Sequence, residues 1–324
     1  MKMSIGFDIS KETVDAAFFN GKTMEHIQVE NSKKGFSQIW NRCKGFDSHD
    51  LIFTMEATGV YHECCAEYFH DKGSMVSVVN PLIIKRYADM KMLRAKTDKV
   101  DAKLIAQYGF SETGFEYKRK SETSLKIKAF LKVIDALQRT RTQNGNRLEA
   151  LRHHAMRMPE VEAVYCKINR EISEQITHVE KEILLLEKKE FAGELNNLLS
   201  IPGVGKRTAS AIIGFFERMD DFGSAKQLIS FIGINPSPRT SGTSVRGHGS
   251  ISKKGNAYLR KLLYLAALSA SKHNRSCSDL YFRLVAKGKS KKLALVAVAN
   301  KLARQIFAVV RYNRGYDPNF SATI

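Results

Sequence analysis

Proline is scarce in this chain of 324 residues, with six in all, and tryptophan occurs once. So few prolines argue for folded cores rather than a disordered chain. Five cysteines (Cys43, Cys64, Cys65, Cys166, Cys277) form no C-x-x-C pair and no zinc-ligand spacing. An odd number without a secretory signal fits reduced thiols, and a cytoplasmic setting is expected. Between Met1 and Phe19 polar and apolar residues alternate around Asp8, Glu12 and Asp15, so no signal-peptide core is expected there. Uncharged apolar runs of membrane-spanning length are also missing. The nearest, Leu293–Val310, holds Lys301 and Arg304, and no membrane helix is expected. Carboxylates are in short supply: 33 Asp and Glu face 52 Lys and Arg, a net charge of +19. That balance excludes an acidic solvating chain. It points to a polyanionic partner, nucleic acid ahead of an anionic membrane.

The hydrophobic content of 43% is enough for folded cores, and the length suits about two domains with a connector. Charge is unevenly spread. From Arg246 to Arg314 there are 16 Lys or Arg and one acid, Asp279, so this stretch carries +15 of the +19. The first hundred residues are close to balance.

Met3–Phe7 and Val14–Phe19 read as strands, and Asn20-Gly21 is a hairpin signal into a third, Thr23–Val29. A helix is predicted over Lys33–Cys43, a strand over Leu51–Met55, a helix from Val60 to Asp71, and a strand over Met75–Val79. Helical segments follow, including Asp98–Phe110. Three strands in a meander, then alternating helix and strand, is the ribonuclease-H-like order. Ile127, Phe130, Ile134, Leu137, Arg141, Asn144, Leu148 and Leu151 keep a 3,4 spacing. Ile172, Ile176, Val179, Ile183 and Leu186 repeat it after Pro159. Two heptad-patterned helices in antiparallel are expected, as an intramolecular hairpin or as a dimerisation arm with Arg141 and Asn144 at core positions. The remainder reads as helical, except for an irregular Gly-, Ser- and Pro-rich loop from Gly233 to Gly255. Helices at Asn256–Lys272 and Lys289–Tyr312 carry the basic charge.

The chemistry-bearing residues fall in two groups. Asp8 follows the first strand, Glu56 ends the fourth, and Asp98 and Asp101 share one helix face at i,i+3. Four close carboxylates repel unless cations neutralise them, and all-oxygen ligands suit magnesium or manganese. Two such ions about 3.5–4 Å apart stabilise both the attacking and the leaving oxygen of a phosphodiester exchange. Taken singly, each acid also reads as a turn or capping residue.

The second group is glycine- and hydroxyl-rich. Ile201-Pro-Gly-Val-Gly-Lys206 opens a helix over Thr208–Phe216, and Gly203, Gly205 and Lys206 there can meet a phosphate with backbone N–H groups. This resembles a helix-hairpin-helix element, which grips backbones without reading sequence; a tight helix–helix turn has the same appearance. Thr240-Ser-Gly-Thr-Ser-Val-Arg-Gly-His248 sets Ser241, Thr243 and Ser244 beside Arg246. A serine needs a base, metal or cations to attack phosphorus, and an arginine can clamp a phosphate. Arg246, Lys253 and Lys254 are further candidate nucleic-acid contacts.

Read together, Gly-Phe-Asp8-Ile-Ser, Glu56-Ala-Thr-Gly-Val-Tyr61, Val79-Asn-Pro81, Lys96-Thr-Asp98-Lys-Val-Asp101-Ala, Ile201-Pro-Gly-Val-Gly205 and Ser241-Gly-Thr-Ser-Val-Arg246-Gly follow one known order. The chain resembles the DEDD-type, Piv-like transposases of bacterial insertion sequences, described as bridge-RNA-guided recombinases, over nearly its whole length. The resemblance implies a RuvC-like catalytic domain (1–115), a helical coiled-coil arm (116–190) and a helical transposase domain with a serine loop (191–324). It implies a metal-binding tetrad of Asp8, Glu56, Asp98 and Asp101, and Ser241 as nucleophile, with Ser244 as the alternative register. It further implies donor and target double-stranded DNA, a structured non-coding guide RNA, and a homo-oligomer, dimer or tetramer, in the bacterial cytoplasm and nucleoid. The competing expectations are a metal-dependent nuclease that resolves branched DNA by hydrolysis, and a non-catalytic nucleic-acid-binding protein.

Overall fold

Alternating apolar residues make the first hundred positions a sheet. β1 (Met3–Ile9), β2 (Thr13–Phe19) and β3 (Met24–Glu30) form an antiparallel meander, and β4 (Leu51–Glu56) and β5 (Met75–Val79) add parallel strands on the other side of β1, in the order β3-β2-β1-β4-β5. This is a computed structural model. It describes residues 2–57, 59–92, 97–112, 116–217, 219–241 and 245–319, without the side chains of 237–250. By packing, the described chain divides into two units, Met1–Arg119 and Lys120–Ile324.

In the first unit, odd positions of β1 and β4 face a buried core. Ile5, Phe7, Phe53 and Met55 meet Phe36 of α1 (Lys33–Arg42) and Phe69 of α2 (Glu63–His70). Phe53 stacks on Phe69 at 4.1 Å and Phe7 on Phe69 at 5.3 Å. α2 starts at Glu63, three residues later than the apolar pattern suggested, because Gly59 takes a left-handed backbone (φ 58) in the turn before it. The opposite face is small where the helix sits: Ser4 and Gly6 on β1, Thr54 on β4, and Ala17 on β2 opposite Gly6. They seat α4 (Asp98–Ser111), which follows α3 (Pro81–Met90). A Cβ at Gly6 would lie 2.1 Å from the Ala106 nitrogen, and one at Gly109 2.1 Å from Thr54 Oγ1. Contact this close requires glycine on both surfaces.

The second unit is helical. α5 (Glu122–Arg152) and α6 (Pro159–Glu190) are the antiparallel pair that the heptads predict. Ile127, Leu131 and Ile134 pack with Ile176, Val179 and Ile183 in a core continuous with the helices beyond. Asn144 is buried at the seam, as its heptad position implied. Arg141 is not: it is exposed and donates to Ser173 Oγ at 3.2 Å, since its long side chain reaches out of the seam to water. α7 (Ala192–Leu199), α8 (Lys206–Phe216), α9 (Ala225–Ile232), α10 (Ala257–His273), α11 (Arg275–Ala286) and α12 (Lys291–Arg311) complete the unit. By length and composition α12 could cross a membrane, but Val298, Leu302, Ile306 and Val309 are buried in the shared core. The stretch expected as an irregular loop is instead a hairpin. β6 (Pro236–Ser241) pairs antiparallel with β7 (Val245–Ile251), with Thr240 opposite Arg246 and Ser241 opposite Val245. Glycine and serine weaken a strand without forbidding the ladder. Together, a mixed five-stranded sheet followed by a helical C-terminal part agrees with the ribonuclease-H-like order and its helical continuation.

Candidate active site

Strand register brings Asp8 and Glu56 to one end of the sheet. Phe7 pairs with Met55 in parallel, so Asp8 and Glu56, the next residues on each strand, leave the sheet on the face that α4 covers. α4 runs antiparallel to β1: Gly109 lies on Ser4 and Thr54, and Ala106 and Ala102 lie on Gly6. One further helical turn toward the N-terminus delivers Asp101 and Asp98 toward Asp8. Advance along the two elements matches, since two strand residues span about 6.6 Å and four helical residues about 6 Å. Thr97 caps the helix, its hydroxyl accepting from the Val100 N–H at 3.3 Å. Both aspartates occupy the first turn, where the helix dipole favours negative charge.

The electrostatics follow from this convergence. Burial first, and then the negative charges of Asp98, Asp101, Glu56 and Asp15, together push the Asp8 carboxyl up to about 6. Asp8 therefore feels all three other predicted acids, as a cation-binding carboxylate set should. Among the described residues no three metal-ligating side chains close on a single point. The acids surround Asp8 without forming a finished coordination sphere. In donor chemistry they fit a hard divalent cation such as magnesium or manganese, which keeps waters in its shell.

Asp15 is a further acid beside Asp8, one that its place in an alternating strand does not single out. It sits directly opposite Asp8 in the β1–β2 ladder and is 5% exposed. His26 Nε2 is 2.7 Å from its Oδ1, and Gln28 Nε2 donates to its Oδ2 at 3.0 Å. An acid in an alternating strand reads as solvent-facing, but α4 covers this face. The available signal was the short polar turn between β1 and β2, which fixes Asp8 opposite Asp15.

The remaining predicted residues belong to the second unit. Ser241 is the last residue of β6 and Arg246 the second of β7, both placed by backbone only; Ser244 lies outside the described residues. The hairpin base is tied to the end of α9: Ser252 N–H donates to Asn235 O, Lys253 N–H to Gly233 O and Asn256 N–H to Phe231 O. Lys253 and Lys254 are exposed just beyond β7. Gly203, with φ 102, turns the chain between α7 and α8, where a Cβ would lie 2.5 Å from the Ala270 Cβ on α10. Gly205 caps α8 without a side-chain hydrogen bond, and Lys206 is exposed beside it. A cavity of about 330 Å³ adjoins this turn, lined by Gly203, Gly205, Thr208 and Ser269 among others.

Known proteins match both halves. A transposase model of the DEDD type from IS110 matches residues 5–154, and the "Transposase IS116/IS110/IS902 family" model matches residues 195–282. The chain is 32% identical over 326 residues to a pilin gene-inverting protein of Moraxella lacunata and 33% identical over 328 residues to that of Moraxella bovis, covering 98% of each chain in both cases. It is 26% identical to the transposase for insertion sequence element IS1111A of Coxiella burnetii, over 76% of this chain and 74% of that one. With relatives matching end to end and the predicted acids meeting at one end of the sheet, the chain belongs to the IS116/IS110/IS902 transposase family and is a DNA transposase or recombinase.

Proposed function

We propose that the protein is a site-specific recombinase that cuts and rejoins DNA with a metal-binding acidic tetrad and a serine nucleophile, guided by a structured non-coding RNA. Asp8, Glu56, Asp98 and Asp101 hold magnesium or manganese, which supplies charge neutralisation at the scissile phosphate. Ser241 Oγ bonds to phosphorus as the bond to one sugar oxygen breaks, and the released sugar hydroxyl takes up a proton. Reversal with a new strand end rejoins DNA without an external energy source. Gly203, Gly205, Lys206, Arg246, Lys253 and Lys254 grip phosphates, and donor and target sequences are read by base pairing to the RNA. Residues 1–115 act as the RuvC-like catalytic part, 116–190 as the arm and 191–324 as the serine-bearing part. The working form is a dimer or tetramer in the cytoplasm, at the nucleoid. Val161, Val164 and Ile168, exposed in one stripe on the outer half of α6, support assembly through the arm.

The observation that carries this reading is the gathering of Asp98, Asp101 and Glu56 around Asp8. The relatives named for inverting a pilin gene support rejoining over hydrolysis, because inversion needs every cut strand resealed. In the hydrolytic alternative a metal-activated water attacks and Ser241 is only a hairpin hydroxyl. The test is junction formation on supplied donor and target DNA. Ser241→Ala should abolish recombinant junctions and cut strands alike, while Ser244→Ala retains both. Retained cutting in Ser241→Ala would establish the nuclease instead.

A further inference from the structure

A second charged site lies on the α5–α10 side of the helical unit. Asp135, in the middle of α5, is 8% exposed. Arg139 Nη2 lies 2.6 Å from its Oδ2 and Lys261 Nζ, from α10, 2.9 Å from its Oδ1. Burial opposes ionisation of Asp135, but the two cations outweigh it and hold the carboxyl below its usual range. Both carboxylate oxygens are thus committed to anchoring cations. Arg139 and Lys261 remain about 73% and 49% exposed in their side chains, with further N–H groups to offer. They line a cavity of about 400 Å³ together with Gln138, Arg141 and Gln143. Arg141 is tethered through one nitrogen to Ser173 and has four other donor hydrogens. The cavity lining contributes three cations and amide donors, and the one acid beneath is already neutralised.

We propose that this cavity binds backbone phosphates of duplex DNA at the root of the α5–α6 arm. The buried Asp135 fixes two cations at set positions, which spares the entropy of ordering them when a phosphate arrives. Guanidinium and ammonium groups on a concave, donor-lined surface match a phosphodiester and no neutral ligand. DNA is the polyanion this enzyme family works on. The site needs neither Ser241 nor the acidic tetrad, so it goes beyond the function proposed above.

The test is binding of the intact protein to a mixed-sequence 30-base-pair duplex, read by fluorescence anisotropy across salt concentrations with divalent metal chelated. Under those conditions no strand is cut, and the outcome is separate from the catalytic proposal. Arg141→Gln and Gln143→Glu alter exposed positions outside the Asp135 clamp, and unchanged melting curves verify their folding. Arg141→Gln should weaken binding about five-fold near physiological salt and reduce the slope of log K against log salt by about 0.9, the share of one phosphate contact. Gln143→Glu should weaken it at least as much. Arg170→Gln, a charge-matched change at an exposed α6 position that does not line the cavity, should have less than a two-fold effect. Equal losses in Arg141→Gln and Arg170→Gln, or no loss in Arg141→Gln, would overturn the site. Loss of affinity for an RNA hairpin of equal length, with duplex binding unchanged, would overturn its assignment to DNA.

Discussion

At the scale of single residues, two buried acids carry most of the consequence. Asp15 faces Asp8 across the ladder and is held by His26 and Gln28, so it adds negative charge beside the tetrad without being free to swing. Asp15→Asn keeps an oxygen for hydrogen bonding and removes the charge. Manganese affinity measured by titration calorimetry should fall on the order of ten-fold, as for other residues that support ligands from behind; unchanged affinity would show Asp15 to be purely structural. Glu187, on α6, is 2% exposed, and burial pushes it up to about 7, partly opposed by a hydrogen bond from Ser210. The sign follows from linkage. The folded chain binds this proton more tightly than the unfolded chain, so stability falls as pH rises from about 4.5 to about 7 and is level above that. Glu187→Gln should remove this dependence and raise stability at pH 8 by up to about 3 kcal/mol, measurable by chemical denaturation at pH 5 and pH 8. Equal effects at both pH values would contradict the assignment.

At the scale of elements, the seating of α4 on β1 decides where the acids stand. Gly6→Ala places a methyl against the Ala102–Ala106 backbone, which has no flexible end to yield. The helix must move, at about 1–3 kcal/mol, and Asp98 and Asp101 move with it. Thermal melting should report the lost stability, and manganese binding should weaken in the protein that remains folded; an unchanged melt would mean the contact is looser than described. This helix also shows what the sequence disclosed. The i,i+3 spacing of Asp98 and Asp101 and the strand-end positions of Asp8 and Glu56 were legible, because period and capping are local properties. Their convergence depends on Gly6, Gly109 and Ala102 allowing close approach, and no local pattern records which helix lies on which face. The β6–β7 hairpin was illegible for the opposite reason. Pro236–Ser241 and Gly247–Ser250 are residues of turns by composition, and only pairing across the hairpin makes them strands. Heptads disclosed the α5–α6 pair, yet they put Arg141 in its seam, where a long cation instead snorkels out to Ser173 and the adjoining cavity.

At the scale of the whole molecule, the charge division matches the proposed division of labour. The near-neutral first unit bears the acids, and the second bears the hairpin serine and the basic stretch from Arg246 onward. Neither unit contains both sets of groups. A change in either should therefore stop the same chemical step, although the two positions lie far apart in sequence. The decisive measurement is the covalent protein–DNA link. Radiolabelled substrate DNA is incubated with the intact protein, the proposed guide RNA and magnesium, then denatured and resolved by mass. Label should travel with the wild-type protein and should be absent from both Asp8→Asn and Ser241→Ala. Label retained on Ser241→Ala, or wild-type DNA cut with no label on protein, would contradict a serine recombinase built from these two units.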